Sequence, residues 1–378
     1  MMGVARKLPR GVLLAVSCLL FLSGLTACAT SAQQTGAGAG DPACIAAAQK
    51  NLEPWSHLPT QLPDGYTPLS AKPKPGSVIY VGVGAAPADA DSGKGVEEAA
   101  KAVGWTYSFI SVDGSAEDFN AKFNEAVRRK PTAILWSGFP AAALQQPLQA
   151  AKDAGIIAVA GAIPEQPTSL PGLAGVTSNP PEYARIGDLM ANWMMSDSKC
   201  TGKAVTFGLP YPVLQAEANS FVSTIKAHCP ACSAKYTEIQ LKDVGTPAAT
   251  TAIVSAVQAD PSIKYVGVNV GVLATGVREA LSAAGLPDVK VFGLSPDKNA
   301  IKALQQGKDA MWIGATSKAF GYEMFDALLR TLDTNKITTG LPKLLSLLTP
   351  QNIPSDATDA VAYPLDFPQQ FYQIWHVQ

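Results

Sequence analysis

The chain has 378 residues, 47% of them hydrophobic, with 29 Lys and Arg against 30 Asp and Glu. The net charge of −1 and the lack of any basic stripe argue against a nucleic-acid partner. Beyond the N-terminus no apolar run is long enough to span a bilayer.

Arg6, Lys7 and Arg10 form a basic n-region ahead of an apolar run from Gly11 to Leu25. That run is short for a spanning helix, which takes about 20 residues, and suits a secretory h-region. It leads into Leu25-Thr26-Ala27-Cys28, which resembles the bacterial lipobox. Residues 1–27 are therefore expected to be a lipoprotein signal peptide, with Cys28 as the lipidation site. An overlapping Ala27-Cys28-Ala29 reads instead as an ordinary cleavage site followed by free secretion. The small, polar stretch from Ser31 to Gly40 is a flexible tether. Each buried methylene contributes about 0.8 kcal/mol, so two or more acyl chains would moor the protein stably. Loss of residues 1–27 removes three basic residues and no acid. The expected location is extracytoplasmic, on the outer face of the cell membrane.

Residues 28–76 read as tether and Pro-rich preface. Asp41 is placed to cap a short helix running to Leu52. Prolines at 54, 59, 63, 68, 73 and 75 stiffen the rest of the preface and extend it over a surface. From Ser77 the pattern becomes regular. Short β-branched runs at 78–83, 107–112, 133–136 and 156–160 read as buried parallel strands, alternating with helices at 94–103, 116–129 and 144–154. The rhythm then repeats. Strands are expected at 203–207, 236–241, 265–269 and 289–293, and helices at 183–195, 214–228, 247–258, 275–284, 300–306 and 320–332. Two tandem sets of βα units imply an α/β protein of two doubly wound parallel-sheet lobes. The end, Phe371-Tyr-Gln-Ile-Trp-His-Val377, reads as an edge strand.

Of six cysteines, Cys18 falls in the signal and Cys28 takes the lipid. Cys44, Cys200, Cys229 and Cys232 remain, an even number for an oxidising compartment, so disulfides are expected. Three pairings are open; a local Cys229–Cys232 bridge, leaving Cys44–Cys200, is preferred. As a redox motif Cys229-Pro-Ala-Cys232 lacks the usual preceding strand, and as a zinc motif it lacks a second ligand pair, which His57, His228 and His376 do not supply.

Several stretches together resemble one family. They are Gly95-Val-Glu-Glu-Ala-Ala-Lys-Ala-Val-Gly-Trp-Thr106, Lys130-Pro-Thr-Ala-Ile-Leu-Trp136, Ala151-Lys-Asp-Ala-Gly-Ile-Ile-Ala-Val159, Asp260-Pro-Ser-Ile-Lys-Tyr-Val-Gly-Val-Asn269, Val289-Lys-Val-Phe-Gly-Leu-Ser-Pro-Asp297 and Ile301-Lys-Ala-Leu-Gln-Gln-Gly-Lys308. In order and spacing they resemble the ribose- and galactose-binding-protein-like (type I) periplasmic binding proteins, over about residues 77–335. The resemblance implies a three-segment hinge, with crossings near Val176 to Ser178, Ala315-Thr316 and Lys336. One lobe would be 77–176 plus 316–335, the other 177–315 plus 336–378 with the tail. A repressor with the same ligand domain would need an N-terminal helix-turn-helix, and here that place holds signal and tether.

The family's ligand lies between the lobes, at the carboxyl ends of the strands. Carried onto this chain, the ligand-binding candidates are Ala86, Asp89, Trp136, Ser137, Phe139, Gly161, Asn179, Tyr211, Gln215, Glu217, Asn269, Ser295, Thr316 and Lys318. Much of the family's sugar-binding set is replaced. An expected arginine is Glu217, an Asn-Asp pair is Asn269-Val270, and a late Asp is replaced at Leu294-Ser295. The resemblance thus implies a ligand poorer in hydroxyls than a hexose, aromatic or a modified sugar, with Trp136, Phe139 and Tyr211 offering faces and Arg185 and Lys318 able to meet a carboxylate.

Gly82-Val-Gly84-Ala-Ala-Pro87 departs from a dinucleotide loop because Pro87 stands where the third glycine belongs. Asp89, Asp91 and Asp113 read as loop acids. No catalytic motif, cofactor or metal is expected. The expected partners are a small-molecule ligand, an ABC permease and, through lipid, the membrane, with the protein a monomer. A sensor presenting its solute to a signalling receptor and a secreted enzyme on the same fold are the competing readings.

Overall fold

Asp41 does cap the first helix, α1 (Pro42–Leu52), its carboxylate accepting a hydrogen bond from the Ala43 amide at 2.9 Å. The computed structural model describes residues 40–357 and 362–377; residues 1–27, expected as a signal peptide, and Cys28 with the residues up to 39 lie outside the described residues. After the preface the chain runs β1 (Ser77–Val83), α2 (Pro87–Ala102), β2 (Thr106–Val112), α3 (Ala116–Arg128), β3 (Ala133–Ser137), α4 (Gln145–Asp153), β4 (Ile157–Gly161) and β5 (Leu173–Thr177). These strands form a parallel sheet in the order β2-β1-β3-β4-β5. Tyr80, Val81, Ile134, Leu135, Val159 and Ala160 are fully buried, as expected of strands covered by helices on both faces. Ser115 caps α3, which buries Phe119 and Phe123 one turn apart.

The second lobe repeats the plan. It comprises α5 (Pro180–Asp197), β6 (Lys203–Gly208), α6 (Pro212–His228), β7 (Ser233–Glu238), α7 (Pro247–Ala259), β8 (Tyr265–Val268), α8 (Val277–Ala283), β9 (Lys290–Leu294), α9 (Lys298–Gln305) and β10 (Met311–Gly314). Its strand order is β7-β6-β8-β9-β10, again parallel. Then α10 (Ser317–Thr334) returns to the first lobe, β11 (Thr338–Thr339) pairs with β5, and β12 (Ser346–Leu348) pairs antiparallel with β10. The third crossing therefore falls at residues 340–345, not at Lys336, and residues 336–339 belong to the first lobe.

The tail corrects the sequence reading more fully. Phe367, Phe371 and Trp375 recur every fourth residue, and the segment is a helix, α11 (Phe367–Ile374), not an edge strand. Trp375 stacks on Tyr322 of α10, with centroids 6.1 Å apart, and its indole donates to Asp326 at 2.8 Å. The last helix is thus part of the first lobe, not the second. Likewise α2 starts at Pro87, which takes Asp89 and Asp91 out of the expected loop and into a helix.

The preface spans both lobes. Cys44 is bridged to Cys200 and Cys229 to Cys232, the preferred pairing. On the second lobe Asn51 donates to Asn192 of α5 at 2.9 Å, and Leu52, Trp55 and Leu58 pack on that lobe's core. By Leu62 the chain has reached the first lobe, where the Leu62 amide donates to Gln370 at 2.9 Å and the Leu69 amide to the Ile374 carbonyl at 2.8 Å.

α2 and α10 cross at two glycines, Gly95 and Gly321. A Cβ on Gly321 would lie 2.8 Å from the Val96 nitrogen and collide with the Ser92 carbonyl. Neither neighbour is a flexible side chain, so Gly321→Ala should cost about 1–3 kcal/mol, the usual range for overpacking, read as a lower urea midpoint with unchanged slope.

Candidate functional site

Three chain passages join the lobes beside the carboxyl ends of the strands, and one lysine on the third reaches the first and the helix that follows the second. The first follows β5. Ser178 adopts left-handed φ (56°), and Asn179 begins α5 with a capping box, its side chain accepting from the Glu182 amide at 3.2 Å while Glu182 accepts from the Asn179 amide at 2.9 Å. The second follows β10, where Thr316 caps α10 by accepting from the Ala319 amide at 3.1 Å. The third carries Lys343. Its Nζ donates to Ser178 Oγ at 2.6 Å, lies 3.6 Å from the Glu323 carboxylate, and sits 4.8 Å and 5.4 Å from the ring centres of Phe320 and Tyr183. The Lys343 side chain is only 7% exposed.

Burial works against the Lys343 ammonium, but Glu323, Tyr183 and Glu182 outweigh it, so its pKa stands above the ordinary lysine value and it remains charged. Burial raises Glu182 to about 7 against the pull of Lys343, and burial likewise raises Glu323.

The strand ends flanking these passages hold the candidate site. On the first lobe they carry Ser137, Gly138 and Ala162; on the second, Tyr211, Asn269 and Ser295. Ala162 and Ser295 share the left-handed backbone of Ser178, a conformation that L residues hold only where their surroundings enforce it and that clusters at functional sites. Tyr211 is 39% exposed, and burial followed by the Asp89 carboxylate raises its pKa.

Among the described residues, Glu217 Oε2, Tyr236 Oη and Asn269 Nδ2 of the second lobe are buried without a hydrogen-bond partner, as are Thr177 Oγ1, Glu182 Oε1 and Ser346 Oγ around the hinge. Buried polar groups are nearly always paired, and an unpaired one costs about 1–3 kcal/mol. Asn269 is oriented by its own Oδ1, which accepts from the Leu209 amide at 3.2 Å. Residue 208 is a glycine because a Cβ there would collide with the Asn269 side chain. Burial raises Glu217 to about 8, so the acid is largely neutral at pH 7. Together these groups offer a carboxyl, a phenol and a carboxamide to a polar solute.

Several expected site residues are engaged elsewhere. Trp136 is wholly buried, its indole donating to the Phe139 carbonyl at 3.0 Å and its ring edge-on to Phe123; it is core, not a ligand face. The half-buried Phe139 stacks on Phe119 with centroids 4.2 Å apart, which holds its ring against α3. Asp89 accepts from the Val83 amide at 2.8 Å and from Tyr80 at 3.1 Å, and Ser137 also donates to it, so these groups tie β1, β3 and α2 together. Gln215 donates to Glu238 at 3.1 Å. Lys318, 45% exposed, pairs with Glu98 on the helix surface at 2.7 Å. The side chains of Asn179 and Thr316 serve as caps, and Ala86 precedes α2 as a cap without a side-chain bond. Gly161 is packed under Phe320, whose ring a Cβ there would strike. The Ser295 carbonyl accepts from the Gly271 amide at 3.1 Å, which joins β9 to the loop after β8.

Sequence reasoning missed Lys343, Phe320, Tyr236 and Glu182. Only Glu182 left a signal, the Asn-x-x-Glu spacing of a capping box at Asn179-Pro-Pro-Glu182.

A family profile described as "Periplasmic binding protein domain" matches residues 87–336. None of the curated proteins matches the sequence. Among solved structures, an ABC sugar transporter subunit from Rhodobacter sphaeroides is 18% identical, with a TM-score of 0.60 over 73% of this chain and 99% of its own. An arabinose-binding protein from Geobacillus stearothermophilus is 17% identical, TM-score 0.61, covering 74% and 98%. A 5-methylthioribose transporter solute-binding protein from Thermotoga lettingae, in complex with 5-methylthioribose, is 16% identical, TM-score 0.63, covering 80% and 94%. At these identities the likeness is one of fold.

The raised Glu217 fixes the sign of a pH effect. The folded state keeps a proton that the unfolded chain releases above the ordinary value of 4.5, so stability falls as pH rises from there to about 8. Glu217→Gln should therefore melt closer to wild type at pH 5 than at pH 8, where the variant should be the more stable. Thermal melts of both proteins at the two pH values check this.

Proposed function

The chain belongs to the periplasmic binding protein family, and on that premise we propose that it captures a sugar-like solute between its lobes and presents it to an ABC importer from the outer face of the membrane. It acts as a binder, not as an enzyme. Lipidation at Cys28 moors it, with the tether leading to Gly40. None of the described helices is long and apolar enough to cross a membrane, so an anchor of this kind fits. Hinge closure follows from a solute that makes contacts with both lobes only when they approach.

The observation that carries the reading is the trio Glu217, Tyr236 and Asn269, whose buried polar atoms point to no protein partner among the described residues. A solute with hydroxyls can donate to Glu217 and accept from Asn269 Nδ2. The first lobe contributes small groups, Ala86, Gly138 and Ala162, while Asp89 and Ser137 are engaged with each other. A ligand polar at one end and apolar at the other suits this asymmetry. A modified sugar with fewer hydroxyls than a hexose is such a ligand, and the bound 5-methylthioribose of the Thermotoga protein is of that kind.

Mass spectrometry of small molecules released from the purified protein, followed by a thermal-shift panel of plain and modified sugars, tests the proposal. A modified pentose should stabilise the protein most. Asn269→Ala and Glu217→Ala should each weaken that ligand about 10- to 100-fold, the loss expected for a buried hydrogen bond. Strongest stabilisation by plain ribose or galactose would overturn the hydroxyl-poor reading, and chemical turnover of the ligand would overturn the binder reading.

A further inference from the structure

Four sulfurs gather where α1 docks on the second lobe. The Cys44–Cys200 bridge joins α1 to the turn after α5 across 156 residues, and Cys229–Cys232 closes the end of α6. The sulfurs of Cys44, Cys200 and Cys229 lie within 4.8 Å of one another, and Cys229 Sγ is 3.3 Å from the Cys200 carbonyl oxygen. Access differs between them: Cys44, Cys200 and Cys229 are buried, whereas Cys232 is partly exposed. The long-range bridge is thus shielded, and its buried neighbour Cys229 is bonded to Cys232, the one residue of the four that is partly exposed.

The bridge also has a mechanical role. α1 has 11 residues, too few for a stable isolated helix, which needs about 12–15. From α1 the preface passes to the first lobe at Leu62, so it forms a strap across the hinge additional to the three passages at Ser178, Thr316 and Lys343. The Cys44–Cys200 bridge is the strap's covalent fastening on the second lobe.

We infer that the cluster is a thiol–disulfide exchange site whose substrate is a dithiol reductant, and that exchange through it unfastens the strap. One thiolate of the dithiol attacks Cys232 Sγ, forming a mixed disulfide and expelling Cys229 as thiolate. The second thiol of the reductant closes on the first, leaving as an internal disulfide and freeing Cys232 as a thiol. The Cys229 thiolate, already beside Cys200, attacks Cys200 Sγ. A Cys200–Cys229 bond forms, the Cys44–Cys200 bond breaks, and Cys44 leaves as a thiolate that takes a proton from water. Two electrons pass from the dithiol to the protein, and two protein disulfides become one disulfide and two thiols. Attack depends on the thiolate and on which sulfur it can reach, and this geometry supplies both an accessible entry and a buried relay.

The test treats the full chain with one equivalent of dithiothreitol, followed by alkylation and peptide mapping. Wild type should yield a Cys200–Cys229 linked peptide with Cys44 and Cys232 alkylated, and trypsin should then cut at Lys50 in α1 at least tenfold faster than before treatment. In a Cys229→Ser/Cys232→Ser protein, Cys44 alkylation should slow at least tenfold. A Cys232→Ser protein, with Cys229 free from the start, should form Cys200–Cys229 without reductant. The wild-type map alone decides the matter if the variants fail to fold. Absence of the Cys200–Cys229 peptide, a Cys44–Cys229 link in its place, equal Cys44 alkylation in the double variant, or unchanged cutting at Lys50 would overturn the proposal.

Discussion

The ammonium of Lys343 is the point on which the two-lobed arrangement turns. It lies on the third passage between lobes, bonds to Ser178 on the first, and reaches Glu323 and Phe320 of α10, which follows the second. A buried charge without partners costs several kcal/mol. That cost falls away only when Ser178, Glu323 and the two flanking rings surround it, so the first and third passages and the start of α10 must meet in one place. With them in place, the carboxyl edges of both sheets are directed at each other, and the crevice that doubly wound sheets form at that edge becomes shared between lobes.

The lobes then divide the work unequally. Polar groups near the first-lobe edge are tied to one another: Asp89 holds the Val83 amide and the Tyr80 and Ser137 hydroxyls, which stiffens the strand ends. The second lobe keeps one polar atom each of Glu217, Tyr236 and Asn269 buried without a partner among the described residues. In the proposed function that lobe recognises the solute, and the first closes over it. The replacements that give the pocket its apolar look in sequence removed charges at strand ends, but the carboxyl at Glu217 lies a turn into α6, where a hydrogen-bond acceptor remains.

The alternation of strands and helices is readable because fully buried parallel strands leave short β-branched runs, as at Val78–Val83 and Ala133–Trp136, and because Gly104, Gly155 and Gly285 mark helix ends. β12 escapes because it has only 3 residues, whereas β5 and β10 are no shorter than β4 and β8 and escape because each leads straight into a passage to the other lobe. The tail misleads for a different reason. Its aromatic content favours strands, but Phe367, Phe371 and Trp375 follow the helical period, and burial against Tyr322 decides between the two. At the site, the position of Trp136 near a strand end suggests the crevice; alternation along β3 turns it instead into the α3 face, beside Phe123. Lys343 is invisible in sequence, because nothing in Leu341-Pro-Lys343 signals a buried cation until three distant segments converge on it.

The most direct measurement is urea denaturation of Lys343→Met, followed by fluorescence and circular dichroism together. If the ammonium holds the passages in register, the variant should lose about 3–5 kcal/mol and the two probes should separate as the lobes unfold independently. A loss under about 1 kcal/mol, in the range of an exposed ion pair, with both probes still coincident would contradict the account.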